Sequence, residues 1–162
     1  MELEALEKAL PEITALGASL VAISPQIEEF NRKLVKEKGL MLKLLSDPGN
    51  QVARKFSLVY KFPDDLRKVY LSFGTDLQKY NGDNSWTLPM PARFVIDQSG
   101  VIRSADINAD YTIRPEPEET IKVLRCLSET TTDAQGMDFE SCLRFPDRFG
   151  KADAGYQPEG GA

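Results

Sequence analysis

Two short runs rich in apolar residues, ARFVID (92–97) and VIRSADIN (101–108), stand either side of the connector QSG. Gly100 supplies the positive φ that a tight reversal needs, so the two runs are expected to pair as an antiparallel hairpin. The leading TLPMP (87–91) puts prolines at the entry to the first strand, where a missing N–H costs no ladder bond. Whatever this chain folds into must therefore accommodate a proline-led hairpin late in the sequence.

Upstream, helical and extended periods alternate. Leu3, Leu6, Leu10 and Ile13 recur at helical spacing, with Glu4 and Lys8 paired at i,i+4, and the helix should end near Gly17. ASLVAIS (18–24) is a short apolar run with β-branched members, which predicts a strand buried on both faces. Ile27, Phe30 and Leu34 mark a second amphipathic helix closed by Gly39. LKLLSD predicts a strand, and DPGNQVARKF a short helix entered through Pro48. Leu66, Val69, Tyr70, Phe73 and Leu77 are expected on one further helix, with Asp64 and Asp65 at its positive end. KYNGDNSW has turn composition. RPEPEETIKVLRCL predicts a last helix that begins at Pro115 and trails off after Ser128.

Strands separated by helices predict an α/β fold: a parallel sheet with helices on both faces and an antiparallel hairpin at one side. Residues 1–128 are expected to form this domain. Residues 129–162 hold no sustained period and are expected to be a partly mobile C-terminal tail, with Met137, Phe139, Leu143, Phe145 and Phe149 able to dock as an arm.

Composition narrows the chemistry. The net charge of −5 argues against nucleic acid and anionic membrane as partners. No apolar run approaches the roughly 20 residues of a membrane span, and the acidic, amphipathic start is neither a secretory signal nor a transit peptide. A cytoplasmic location is the expectation. The absence of histidine removes Ser-His-Asp and Cys-His catalysis and His-ligated metals. The two cysteines, Cys126 and Cys142, are too few and too far apart for a zinc site or a CxxC motif. No cofactor or metal is expected. A disulfide between the two is disfavoured in a reducing compartment.

LPMPARFVIDQSGVIR followed by DYTIRPEPEETIKVL resembles the peroxiredoxin-like branch of the alkyl hydroperoxide reductase/thiol-specific antioxidant (AhpC/TSA) family. LEALEKALPEITALGASLVAIS resembles the part of those proteins just after the active-site loop. The resemblance runs from about Glu2 to about Leu127. It implies a thioredoxin-like fold, N-terminally truncated, of antioxidant and oxidoreductase lineage. It also implies that the peroxidatic cysteine, which family members carry just before the first helix, has no counterpart in this chain. The expectation is a poor peroxidase that keeps a small-molecule pocket. The same truncation leaves a central strand slot, between the strands matching ASLVAIS and ARFVID, to be filled by a second copy or by the C-terminal arm. A homodimer or an arm-completed sheet is therefore expected.

Pro91 matches the family's cis-proline, so a cis Met90–Pro91 bond is expected beside the pocket; an inherited structural turn is the plain alternative. Arg93 shares Pro91's side of the strand and can bind an anion or carbonyl, or pair as an ordinary strand residue. Trp86 can wall the pocket or sit in the core. Asp110, Tyr111, Arg114 and Glu116 can bind a polar substrate such as a peroxide or small organic molecule, or act as acid and base. Alternatively they form a helix entry. Cys126 falls toward the wet side of the last helix and is expected as an accidental surface thiol, with service as a substitute redox thiol the sharper option. Three functions stay open: a redox protein of the family type, a repurposed isomerase- or cyclase-type enzyme working through Tyr, Asp, Glu and Arg, and a non-catalytic dimeric binding module.

Overall fold

A computed structural model describes residues 2–110, 112 and 114–132. The order of elements is α1 (Glu2–Ala15), β1 (Val21–Ser24), α2 (Glu28–Lys38), β2 (Lys43–Ser46), a 3₁₀ turn (Pro48–Asn50) running into α3 (Gln51–Lys55), β3 (Val59–Lys61), α4 (Asp64–Ser72), α5 (Leu77–Asn81), β4 (Thr87–Pro89), β5 (Ala92–Ile96), β6 (Ile102–Ile107) and α6 (Pro117–Thr132). The strands form three ladders: β1 parallel to β2, β3 antiparallel to β4, and β5 antiparallel to β6.

The first helix organises the molecule. Leu6 is buried against Leu40 and Leu42, with Leu3, Leu10, Leu20, Ala22, Val35 and Leu44 packed around them. This stripe seats α1 over the parallel pair. Its polar side is tied in two directions by all four of its glutamates. Glu7 accepts from the Met41 and Leu42 backbone N–H groups at 2.8 and 3.1 Å, and Glu4 pairs with Lys38 at 3.0 Å. On the opposite flank Glu12 accepts from Arg125 of α6, while Glu2 reaches β5 and the α6 entry. One helix thus spans both β1–β2 and β5–β6, and α1 and α6 lie side by side.

The hairpin forms as its sequence predicts, with Ala92 opposite Ile107 and an irregularity between Val95 and Ile96. Its turn is built by Asp97, whose carboxylate accepts from the Ser99 N–H, the Ser99 hydroxyl, the Val101 N–H and Arg103 Nε. The Ser99 hydroxyl is the largest cause holding this carboxyl well below the usual carboxylate range. Val95 is buried beneath α6 together with Ile121 and Val123.

Several expectations need correction. The strand foreseen as buried on both faces is open on one: Val21, Ile23 and Leu45 are exposed on the same side of the β1–β2 pair, while Ala22 and Leu44 pack inward. Among the described residues neither β1 nor β5 has a second strand neighbour, so nothing in a ladder covers their outer edges. The single helix foreseen from Leu66 to Leu77 is two. The break comes at Gly74, whose φ of +76° lies where side-chain-bearing residues are strained, and Asp76 then caps α5 by accepting from Gln78 and Lys79 N–H. The β3–β4 pair has no three-turn periodicity or long alternation to announce it. The last helix begins at Pro117 rather than Pro115 and continues to Thr132 instead of fading after Ser128. The proposed docking residues of the C-terminal arm lie outside the described residues.

Candidate functional site

β5 starts immediately after Pro91, and its pleat sends Arg93 to the side on which α6 begins. Arg93 is 12% exposed and fully engaged. Its Nη1 donates to the Glu116 carbonyl and the Thr120 hydroxyl, both at 3.3 Å. Its Nη2 donates to Glu2 Oε1 at 3.1 Å. Arg114, arriving from the loop before α6, donates from Nε to the other oxygen of the same carboxylate, Glu2 Oε2, at 2.8 Å. Two guanidinium groups therefore share one carboxylate, one oxygen each, at the first turn of α1. Such charge-assisted bonds fix geometry as well as charge. A shallow cleft opens here, lined by Glu2, Pro91, Ala92, Arg93, Asp106, Asn108, Arg114 and Pro115. A second cleft on the far side of Arg93 is lined by Val95, Ser104, Glu119 and Thr120 among others.

Of the residues expected to form the pocket, Pro91, Arg93 and Arg114 do meet there. Met90 and Trp86 do not line the cleft. Met90 is half-buried and its N–H donates to the Leu58 carbonyl at 2.8 Å. Trp86 is 6% exposed and belongs to the core beside β3. Its ring lies 6.1 Å from Phe62, with the Arg67 guanidinium 5.0 Å above it and Arg67 paired to Asp64 at 2.9 Å. At φ +50° Trp86 holds a backbone conformation uncommon for a bulky residue, which the Phe62 N–H to Trp86 carbonyl bond of 2.7 Å helps secure.

The expected cis bond is not found: no peptide bond among the described residues is cis, so Met90–Pro91 is trans. The reason is local. Trans is the intrinsic preference of X–Pro by about 0.5–1 kcal/mol. The flanking backbone is satisfied in that form, with Met90 N–H on Leu58 and Pro91 carbonyl accepting from Asn108 N–H at 3.3 Å.

Asp110 is bound to its own loop: its Oδ1 accepts from the Thr112 N–H and hydroxyl at 2.9 and 2.6 Å. Those bonds, the hydroxyl's foremost, and the nearby Arg114 charge depress its pKa. Glu116 meets Arg93 through its main-chain carbonyl, and its side chain is on an exposed position. Tyr111 lies outside the described residues. Cys126 is half-buried and disulfide-bonded, so it is not the free surface thiol that helical angle suggested. The chain's other cysteine, Cys142, lies outside the described residues. Helical phase gives an angle about one axis, and a bond to a residue outside that helix is invisible to it. No group of three or more potential metal ligands occurs among the described residues.

Sequence reasoning passed over Glu2. The helical pattern identifies it only as an acidic residue near a positive helix end. Its partners lie 91 and 112 residues away, and no local signal could have pointed to them. Thr120 and Asn108 were missed for the same reason.

Comparison with known proteins fits this architecture. The AhpC/TSA family model matches residues 1–105. A chloroplastic peroxiredoxin Q of Sedum lineare is 30% identical over 111 residues, covering 68% of this chain and 47% of that protein. The reduced 2-Cys peroxiredoxin of Plasmodium vivax superposes with a TM-score of 0.56 at 17% identity, covering 81% of this chain and 58% of that one. The chain thus spans about half the length of these relatives. It belongs to the AhpC/TSA family and has a thioredoxin-like fold.

Proposed function

We propose that this AhpC/TSA-family chain is a peroxiredoxin-like protein of thiol-redox, antioxidant lineage that is by itself a poor thiol peroxidase and keeps a small-molecule pocket beside Pro91. The observation that carries this reading is the convergence of Arg93 and Arg114, next to Pro91, on the first turn of α1. That is a charge-stabilising half of a site, with a carboxylate where a reacting group would be held. The other half, a nucleophile, has no candidate nearby among the described residues. Peroxide reduction needs a thiolate sulfur to attack the O–O bond, form a sulfenic acid and release the other oxygen as water or alcohol once it takes a proton. The one cysteine described, Cys126, sits in α6 and its sulfur is already oxidised as a disulfide.

The test is peroxide consumption with a dithiol reductant. The expected result is a rate indistinguishable from reductant alone. Rapid turnover abolished by Cys126→Ser or Cys142→Ser would replace this reading with that of a working peroxidase.

A second reading, a non-catalytic binding module, gains support from the unpaired outer edges of β1 and β5. Every described strand already has one neighbour. A second copy could therefore meet these edges like against like about a two-fold axis, or β1 to β5 head to tail. Sedimentation of a monomer across micromolar concentrations would remove the dimer form of this reading.

A further inference from the structure

The Glu2 carboxylate and the two arginines that hold it are unequal partners. Arg93 is nearly buried and anchored on its other side by the Glu116 carbonyl and Thr120 hydroxyl. Arg114 is held between β6 and α6 at 27% exposure. Glu2, in contrast, is 40% exposed and lies in the first turn of α1. The fork is the fixed member and the carboxylate the removable one. Ion pairs this exposed contribute little net, so exchange for another carboxylate is cheap.

The walls describe what would replace it. Pro91, Ala92 and Pro115 offer short apolar surface, and Asn108 also lines the cleft. The Asn108 side-chain oxygen accepts from the Asp110 N–H, and its amide nitrogen makes no hydrogen bond among the described residues. Asp106, cross-strand to Arg93, lines the same cleft and carries a negative charge. Asp110 and Glu116 add to the negative surroundings, the first tied to Thr112 and the second present by its carbonyl. One carboxylate is accommodated by the fork, whereas a second on the same molecule would face Asp106.

We propose that the Arg93–Arg114 fork binds a short-chain monocarboxylate, which enters by taking the place of the Glu2 carboxylate, so that the first turn of α1 acts as an internal competitor. The inference rests on the pocket reading above and adds to it the class of ligand and the residue that regulates access. It involves no covalent step.

Titration calorimetry with acetate, propionate, butyrate and malonate at fixed ionic strength, chloride serving as the control anion, tests it. The variants are Glu2→Gln, Arg93→Lys and Arg114→Lys. Saturable binding of the monocarboxylates is expected, tightening about tenfold in Glu2→Gln, weakening in both lysine variants, and weaker for malonate throughout. To separate binding from any effect on folding, the circular dichroism and melting curve of Glu2→Gln are recorded with and without propionate; a melting temperature raised by propionate and not by chloride supports the proposal. Equal affinity in wild type and Glu2→Gln, or no saturation in either, overturns it and leaves the ion pairs as a structural tie. Neither peroxide nor thiol enters this measurement, so its failure is separate from any failure of the peroxidase test.

Discussion

The β1–β2 pair and the β5–β6 hairpin are both two-stranded, lie under the same helix and have an outer edge with no ladder neighbour among the described residues. They are stabilised in opposite ways. The hairpin carries its own determinant, an aspartate that satisfies the turn with four bonds within seven residues. The parallel pair has no turn to define it, because its strands are joined through α2. What holds it is packing from above: Leu42 at 3% exposure, Leu6 at 8%, and Glu7 on the Met41 and Leu42 N–H groups. Antiparallel structure can be local, whereas a parallel pair depends on the elements that cross it. The difference also appears on the free faces, where β1 and β2 leave Val21, Ile23 and Leu45 exposed.

Three measurements press on this contrast. Leu42→Ala should have the largest effect, a loss of about 2–5 kcal/mol of unfolding free energy with an unchanged denaturant slope. A loss below about 1 kcal/mol would mean that the packing under α1 is not what carries the parallel pair.

Asp97→Asn should have a smaller effect with a distinctive pH dependence. The folded carboxyl is held well below its ordinary value of 3.8, chiefly by the Ser99 hydroxyl. Its contribution is thus fully present above that value and is lost as pH falls through the depressed folded one. Wild-type stability should decline on acidification below about 3.8, and the variant should decline less over the same range. Identical acid limbs would show that the turn owes little to this charge.

Ile23→Thr should change monomer stability least, within about 0.5 kcal/mol, since Ile23 is 49% exposed. A cost comparable to that of Leu42→Ala, together with a change in sedimentation, would show instead that this face is covered in solution.

Much of the fold was legible because its signals are short-ranged. The helical stripe Leu3, Leu6, Leu10, the helix-closing glycine at 39 and the QSG connector each act over a few residues, and each appears where the sequence put it. The family resemblance held for the same reason, resting on contiguous runs. The misjudged parts lack such signals. ASLVAIS is apolar at nearly every position, so its composition cannot tell whether one face or both will be covered. Cys126 has a definite helical angle, but the bond it makes lies outside the helix.

The sequence alone determined most of the helices, the β1, β2, β5 and β6 strands, the hairpin and the family, because hydrophobic period, turn residues and contiguous motifs are properties of neighbours along the chain. Only the tertiary structure decided that Arg93 and Arg114 close on Glu2, that Trp86 turns into the core, and that β1 and β2 show an apolar face to solvent. These outcomes follow from contacts between residues up to 112 positions apart. Such contacts depend on where whole helices and strands are laid against one another, and no local preference encodes that placement.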